Sequence, residues 1–71
     1  MQPELVRKLG DEANDILGRL DTTGHWVKNS CSAEEFEWYK KLVTPVMAAL
    51  VIDLLNPLYE KYPDAKPEGY D

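Results

Sequence analysis

Residues 42–55 read LVTPVMAALVIDLL, an apolar run of 14 residues in which Asp53 is the single charged side chain. Apolar side chains recur through the run at spacings of three and four, the period of an α-helix that packs on one side. The same period begins before the run and continues after it, so the sequence predicts a longer helix. Its main apolar stripe comprises Phe36, Tyr39, Val43, Val46, Met47, Leu50, Leu54 and Leu58.

The later half of this helix is apolar on a second side as well. The line best suited to water carries Asp53 and Glu60, and we therefore expect Asp53 to be exposed. The second apolar strip, about a third of a turn from the main stripe, comprises Ala48, Ile52, Leu55 and Tyr59.

One neighbouring helix can cover only one of these two strips. Leaving Ile52 and Leu55 in water would forgo about 1.5–3 kcal/mol for each side chain. We therefore predict an all-α fold in which an antiparallel helical hairpin dimerises into a four-helix bundle, because symmetric homodimers are the commonest oligomers. The alternative is a different protein that supplies the missing helices. The predicted dimer or partner interface comprises Val46, Leu50, Ile52, Leu55 and Tyr59.

Pro45 removes one backbone hydrogen bond from the second helix and crowds the preceding turn. The apolar stripe passes through Pro45 without a slip, and no glycine is nearby. This pattern favours a continuous helix that is kinked at Pro45. The alternative is that Thr44 caps a separate third helix with Pro45 in its first turn.

The second helix has a specific start signal at Ser32-Ala33-Glu34-Glu35. This pattern is a capping box, in which the Ser32 hydroxyl accepts from the Glu35 N–H and the Glu35 carboxylate accepts from the Ser32 N–H. The sequence therefore predicts a helix that begins directly after Ser32.

The first predicted helix begins at Pro3, a residue that suits the first helical turn. Gly24 is a candidate stop, but Val27 continues the apolar stripe, which favours a helix that runs to about Lys28. The stripe comprises Leu5, Leu9, Ala13, Ile16, Leu17, Leu20 and Val27.

The chain divides into a helical hairpin domain over residues 1–62 and a C-terminal segment over residues 63–71. The second segment is rich in proline and has no apolar period. We expect an extended tail, with Tyr62 or Tyr70 as the side chain that docks on the bundle.

Seventy-one residues form one domain at most, and so short a chain needs help to bury a core. The net charge of −5 disfavours nucleic acid as a partner.

The run of 14 residues is too short to span a bilayer. Met1 is not followed by a basic segment and an apolar run, so we expect no signal peptide. A single cysteine, Cys31, fits a reducing compartment, and we expect a cytoplasmic protein.

Cys31 and His25 are the only candidates for nucleophilic chemistry. Neither lies in a known catalytic motif, and no third group that would orient them is evident. We therefore expect no catalytic residue and no cofactor. We also expect no metal site, because the acidic residues lack the Glu-x-x-His pattern of carboxylate bundles.

The predicted function is that of a homodimeric interaction module or regulatory accessory protein. Trp26 and Trp38 are candidate anchors for a partner, since exposed aromatics often serve in binding. A basic protein would meet the acidic residues Asp11, Glu12, Asp15, Glu34, Glu35 and Glu37.

Two other functions stay open at this stage. One is a carrier of a small apolar ligand, held in a cavity that opens at Pro45 and is lined by Met47, Leu50, Val51 and Leu54. The other is an enzyme that depends on Cys31, which the missing motifs disfavour.

Overall fold

The computed structural model describes residues 1–69 and is entirely helical over that range apart from short connections. Tyr70, one of the two residues expected to dock on the bundle, lies outside the described residues. Two long helical arms run antiparallel and are joined by a tight connection at Cys31 and Ser32. The antiparallel pairing is fixed by contacts across the hairpin between Thr23 and Tyr39, near the connection, and between Met1 and Tyr62, at the end that holds the termini.

The first arm is a single α-helix, α1, over Pro3–Ser30. Proline occupies its first turn, and the helix passes through Gly24 and Val27 without a break. The prediction of the longer helix is therefore confirmed. Gly24 does not end the helix, because the Val27 side chain is partly buried and rewards continuation of the helical turns.

The second arm starts with helix α2, Ala33–Ala49. The Ser32 hydroxyl accepts a hydrogen bond from the Glu35 N–H at 3.1 Å, and the Glu35 carboxylate accepts from the Ser32 N–H at 3.5 Å. The predicted capping box is therefore confirmed. Helix α2 also continues through Pro45, so Thr44 does not begin a separate helix.

The helical type changes after Ala49. Residues Leu50–Leu55 form a π-helical segment, and Asn56–Lys61 then form helix α3 without leaving the same helical path. The Asn56 N–H bonds to the Val51 carbonyl, five residues back rather than four. This turn is wider because it holds more residues than a turn of α-helix, and it was not predicted from the sequence.

The π-helical segment decides which side chains of the second arm face α1. Residues four apart drift by about 40° per step in an α-helix, and the wider turn cancels this drift. The inward line therefore keeps a four-residue spacing along the whole arm. It comprises Val43, Met47, Val51, Leu55 and Tyr59, all of which are buried or partly buried.

The core lies at the end of the hairpin that holds the two termini. Leu55 is fully buried and packs with Ala13 and Tyr59, while Val51 and Leu58 pack around them. Gly10 allows the close approach of the Tyr59 ring, because a Cβ there would overlap the Tyr59 hydroxyl.

The residues after the hairpin fold back onto α1. Pro63–Ala65 form a turn of 3-10 helix, Ala65 is buried, and Arg7 donates to the Asp64 carbonyl. The N-terminal ammonium group donates to the Tyr62 hydroxyl at 3.0 Å. The first residues of the segment expected to be an extended tail are therefore packed on the hairpin.

The hairpin is long and thin. Its extents are 46 × 19 × 16 Å, and its radius of gyration is 14.7 Å. A compact domain of this length has a radius of gyration of about 11 Å. Two arms side by side leave much of each helix in water.

Candidate interaction surfaces

The structure divides the predicted interface into buried and exposed residues. Leu55 and Tyr59 are 0% and 3% exposed and belong to the core of the single chain. Val46 and Ile52 are 52% and 62% exposed, and Leu50 is partly buried. The π-helical turn explains the difference, because it rotates Leu55 and Tyr59 of the predicted second strip towards α1 and leaves Ile52 exposed.

Large apolar side chains remain exposed on both arms at positions that share one rule. Each one directly precedes an inward-facing residue, as Leu9 precedes Gly10 and Val46 precedes Met47. We call this set the apolar face. It comprises Leu5, Leu9 and Ile16 of α1, Leu42 and Val46 of α2, and Leu54 of the π-helical segment, all exposed.

These six residues lie on the same side of the hairpin. Viewed along its own N-to-C direction, each helix turns by about 100° in the same sense from one residue to the next. Because the arms are antiparallel, the two rotations are opposite when both arms are viewed from one end of the hairpin. The residues that precede the inward-facing ones therefore lie on the same side of both arms. The π-helical segment brings Leu54 into line with Val46, whereas eight residues of α-helix would separate them by about 80°.

Ile52 stands apart from the apolar face. It lies six residues after Val46, which corresponds to at least a third of a turn around the helix. Trp38 precedes Tyr39 and extends the face towards the connection. Trp26 precedes Val27, but it lies ten residues after Ile16, about 80° further round α1 and nearly in line with Asp15 on the outer side. The two tryptophans are 64% and 65% exposed, so both predicted anchors are accessible in the single chain.

The acidic residues do not form one patch. Asp11, Glu12 and Asp15 lie on α1, and the other three lie at the start of α2, about 20 Å further along the hairpin by helix rise. Of the second group, Glu35 is used in the capping box and Glu37 pairs with Lys40 at 3.1 Å. The group on α1 is therefore the acidic surface that remains for a partner.

The candidate nucleophile and base have separate surroundings. His25 Nε2 lies 3.4 Å from the Asp21 carboxylate, one turn earlier on α1. Cys31 is exposed at the helix connection. Within residues 1–69, no cluster of three or more His, Cys, Asp or Glu side chains is arranged to hold a metal ion.

A groove of about 320 Å³ opens between the arms near the connection. Met47 lines it, but Leu50, Val51 and Leu54 do not, so it differs from the cavity suggested by the sequence. Leu54 is exposed on the apolar face instead. The groove walls comprise Leu20, Asp21, Gly24, His25, Lys28, Phe36, Lys40, Val43, Thr44 and Met47.

The second arm is also the one helix in the described range that is long and apolar enough to cross a membrane. The 14-residue apolar run is by itself too short to span a bilayer. In the structure the helical path Ala33–Lys61 is 29 residues long, so length no longer excludes a membrane span. Core helices of soluble proteins meet the same criterion, although only 17% of this apolar stretch is buried in the single chain.

Comparison of the chain with models of protein families, with curated proteins and with solved structures found no match.

Proposed function

We propose that this chain is a cytoplasmic, homodimeric protein-interaction module in which two hairpins pack their apolar faces together as a four-helix bundle. The observation that carries the proposal is the apolar face itself, with Leu9 and Ile16 on one arm and Leu42, Val46 and Leu54 on the other. Each side chain is about half exposed, so its burial in the dimer would contribute about 1 kcal/mol to the free energy of association.

The exposed area of the hairpin fits a missing neighbour. Its accessible surface is 5442 Å², whereas a compact monomer of this mass exposes about 4,500 Å². The excess of about 950 Å² is close to the roughly 800 Å² that each partner buries in a standard protein interface. A second copy laid along the hairpin would bring the exposed surface into the usual range.

A second copy suits the apolar face better than a lipid surface. The chain carries a net charge of −5, which opposes approach to anionic membranes. The face is a strip that runs along two antiparallel helices, and two such strips pack as the layers of a four-helix bundle do.

The dimer would leave the outer side of α1 available to another protein. That side carries Trp26 together with Asp11 and Asp15, which are all exposed. Trp26 lies about 16 Å beyond Asp15 by helix rise. A basic partner that lies along this side of α1 would be steered by the carboxylates and would bury the indole.

Sedimentation equilibrium tests the dimer. We expect wild type to sediment as a dimer, and Val46→Glu or Ile16→Glu to raise the dissociation constant about 100-fold, because each variant buries an unpaired carboxylate. Ile52→Glu is the matched control, since Ile52 is at least as exposed as Val46 but lies off the face. Its dissociation constant should stay within about twofold of wild type.

Vesicle flotation separates the remaining possibilities. A wild-type monomer at all concentrations that floats with phosphatidylglycerol vesicles, and loses this binding in Val46→Glu, would assign the face to a membrane and overturn the proposal. A monomer that does not bind vesicles would overturn it as well. Circular dichroism of each variant checks that the helices persist.

A further inference from the structure

The groove near the connection combines an apolar floor with basic edges. Phe36, Val43 and Met47 form much of its floor. Lys28 and Lys40 stand at its edges, one from each arm. This pair of cations is notable in a chain that has thirteen acidic and eight basic residues.

The charges around the groove are unevenly matched. Asp21 is its one acidic lining residue, and it already contacts His25 at 3.4 Å. Lys40 lies 5.1 Å from the centre of the Phe36 ring and also pairs with Glu37. Among residues 1–69, Lys28 has no carboxylate within ion-pair distance. The groove therefore presents one unneutralised cation next to an apolar floor.

We infer that this groove binds a small apolar carboxylate, with the hydrocarbon body on Phe36, Val43 and Met47 and the carboxylate between Lys28 and Lys40. The volume of about 320 Å³ is at the lower end of the range for small-molecule sites, which are mostly apolar with a few placed polar groups. A cation at the mouth of such a groove favours an anion over a neutral analogue, because charge-assisted hydrogen bonds are stronger than neutral ones.

The groove lies on the opposite side of the hairpin from the apolar face. Its polar members follow inward-facing residues in the sequence, as Thr44 follows Val43 and His25 follows Gly24. The members of the apolar face precede such residues instead. Ligand binding is therefore independent of the proposed dimer, and both can be tested on the same protein.

Gly24 offers a way to fill the groove without disturbing the core. It lines the groove, and a Cβ added there meets open space. Gly18 lies on the same helix, also has open space at its Cβ position, and is outside the groove. Gly24→Leu and Gly18→Leu are therefore a matched pair.

Titration calorimetry with naphthalene-2-carboxylate and its neutral amide tests the inference. We expect wild type to bind the carboxylate at least about fivefold more tightly than the amide. Gly24→Leu should abolish carboxylate binding, and Gly18→Leu should leave it unchanged. Lys28→Met should lower the preference for the carboxylate, with Lys40 still present, and should retain binding of the amide.

Three results would overturn the inference: no binding of the carboxylate by wild type at millimolar concentration, equal loss in both leucine variants, or an undiminished preference in Lys28→Met. Circular dichroism verifies the fold of each variant. If Gly24→Leu loses helicity, Thr44→Met on the opposite wall blocks the same groove and should abolish binding in its place.

Discussion

The two ends of the hairpin differ in how completely they are packed. At the end that holds the termini, Val6, Ala13, Leu55 and Tyr59 are buried, and Ala65 closes the end from outside. At the end that holds the connection, Val43 is the one apolar residue buried to a similar degree, and the groove lies beside it. We call them the closed end and the open end.

In the single chain, one core of a few residues organises the hairpin and leaves much of its remaining length exposed. The closed end is sealed by a third layer, the turn Pro63–Ala65, and by the hydrogen bond from the N-terminus to Tyr62. Within residues 1–69, the open end consists of the two helical arms alone. Its cross-helix polar link is the hydrogen bond between Thr23 and Tyr39.

The largest expected loss of stability comes from a cavity created in the core of the closed end. Leu55→Ala should lower the free energy of unfolding by about 2–5 kcal/mol, because Leu55 is fully buried and its removal leaves a cavity. Met47→Ala, on the floor of the groove, should lower the free energy of unfolding by about 1 kcal/mol, since Met47 is only partly buried. Urea denaturation at one fixed protein concentration measures both. Equal losses would remove the distinction between the two ends.

Alanine substitutions at two glycines of α1 should change the free energy of unfolding in opposite directions. Gly10→Ala should destabilise the chain by about 1–3 kcal/mol, because the added methyl group overlaps the Tyr59 hydroxyl at the closed end. Gly18→Ala should stabilise it by about 0.5–1 kcal/mol, since alanine favours the helix and the site is open.

Thermal unfolding followed by circular dichroism compares the two glycine variants with wild type. A Gly10→Ala protein that is as stable as Gly18→Ala would show that Tyr59 does not pack against Gly10.

The last comparison concerns the helix cap at the open end. Ser32→Ala should lower the free energy of unfolding by about 1 kcal/mol, because it removes the acceptor for the Glu35 N–H. Hydrogen exchange should quicken at the start of α2 and remain unchanged around Leu55. Ser30→Ala is the control, since Ser30 ends α1 and does not cap α2. Uniform acceleration along the chain would mean that the two ends open together.

Local features were predictable because their physics is local. Proline in the first turn of α1 and the reciprocal bonds of Ser32 and Glu35 involve residues within one helical turn. The continuation of α2 through Pro45 was also evident, because an unbroken apolar stripe outweighs the loss of one backbone hydrogen bond. These features establish two long helices and a tight connection.

The candidate surfaces were predictable only in part. Val46 was assigned to an interface and is exposed, whereas Leu55 and Tyr59 were assigned to it and are buried. The error came from a constant turn of 3.6 residues, which placed Leu54 inside and Leu55 outside. The four-residue spacing of Val43, Met47, Val51, Leu55 and Tyr59 was the available signal for a wider turn.

The sequence by itself determined the helices, their direction reversal and the excess of apolar side chains over what one hairpin covers. Tertiary structure alone decided which of those side chains face inward, because the π-helical turn at Leu50–Leu55 forms where packing against Gly10 and Ala13 rewards it. Helical periodicity depends on near neighbours in the chain, whereas the choice of face depends on contacts between residues more than forty positions apart.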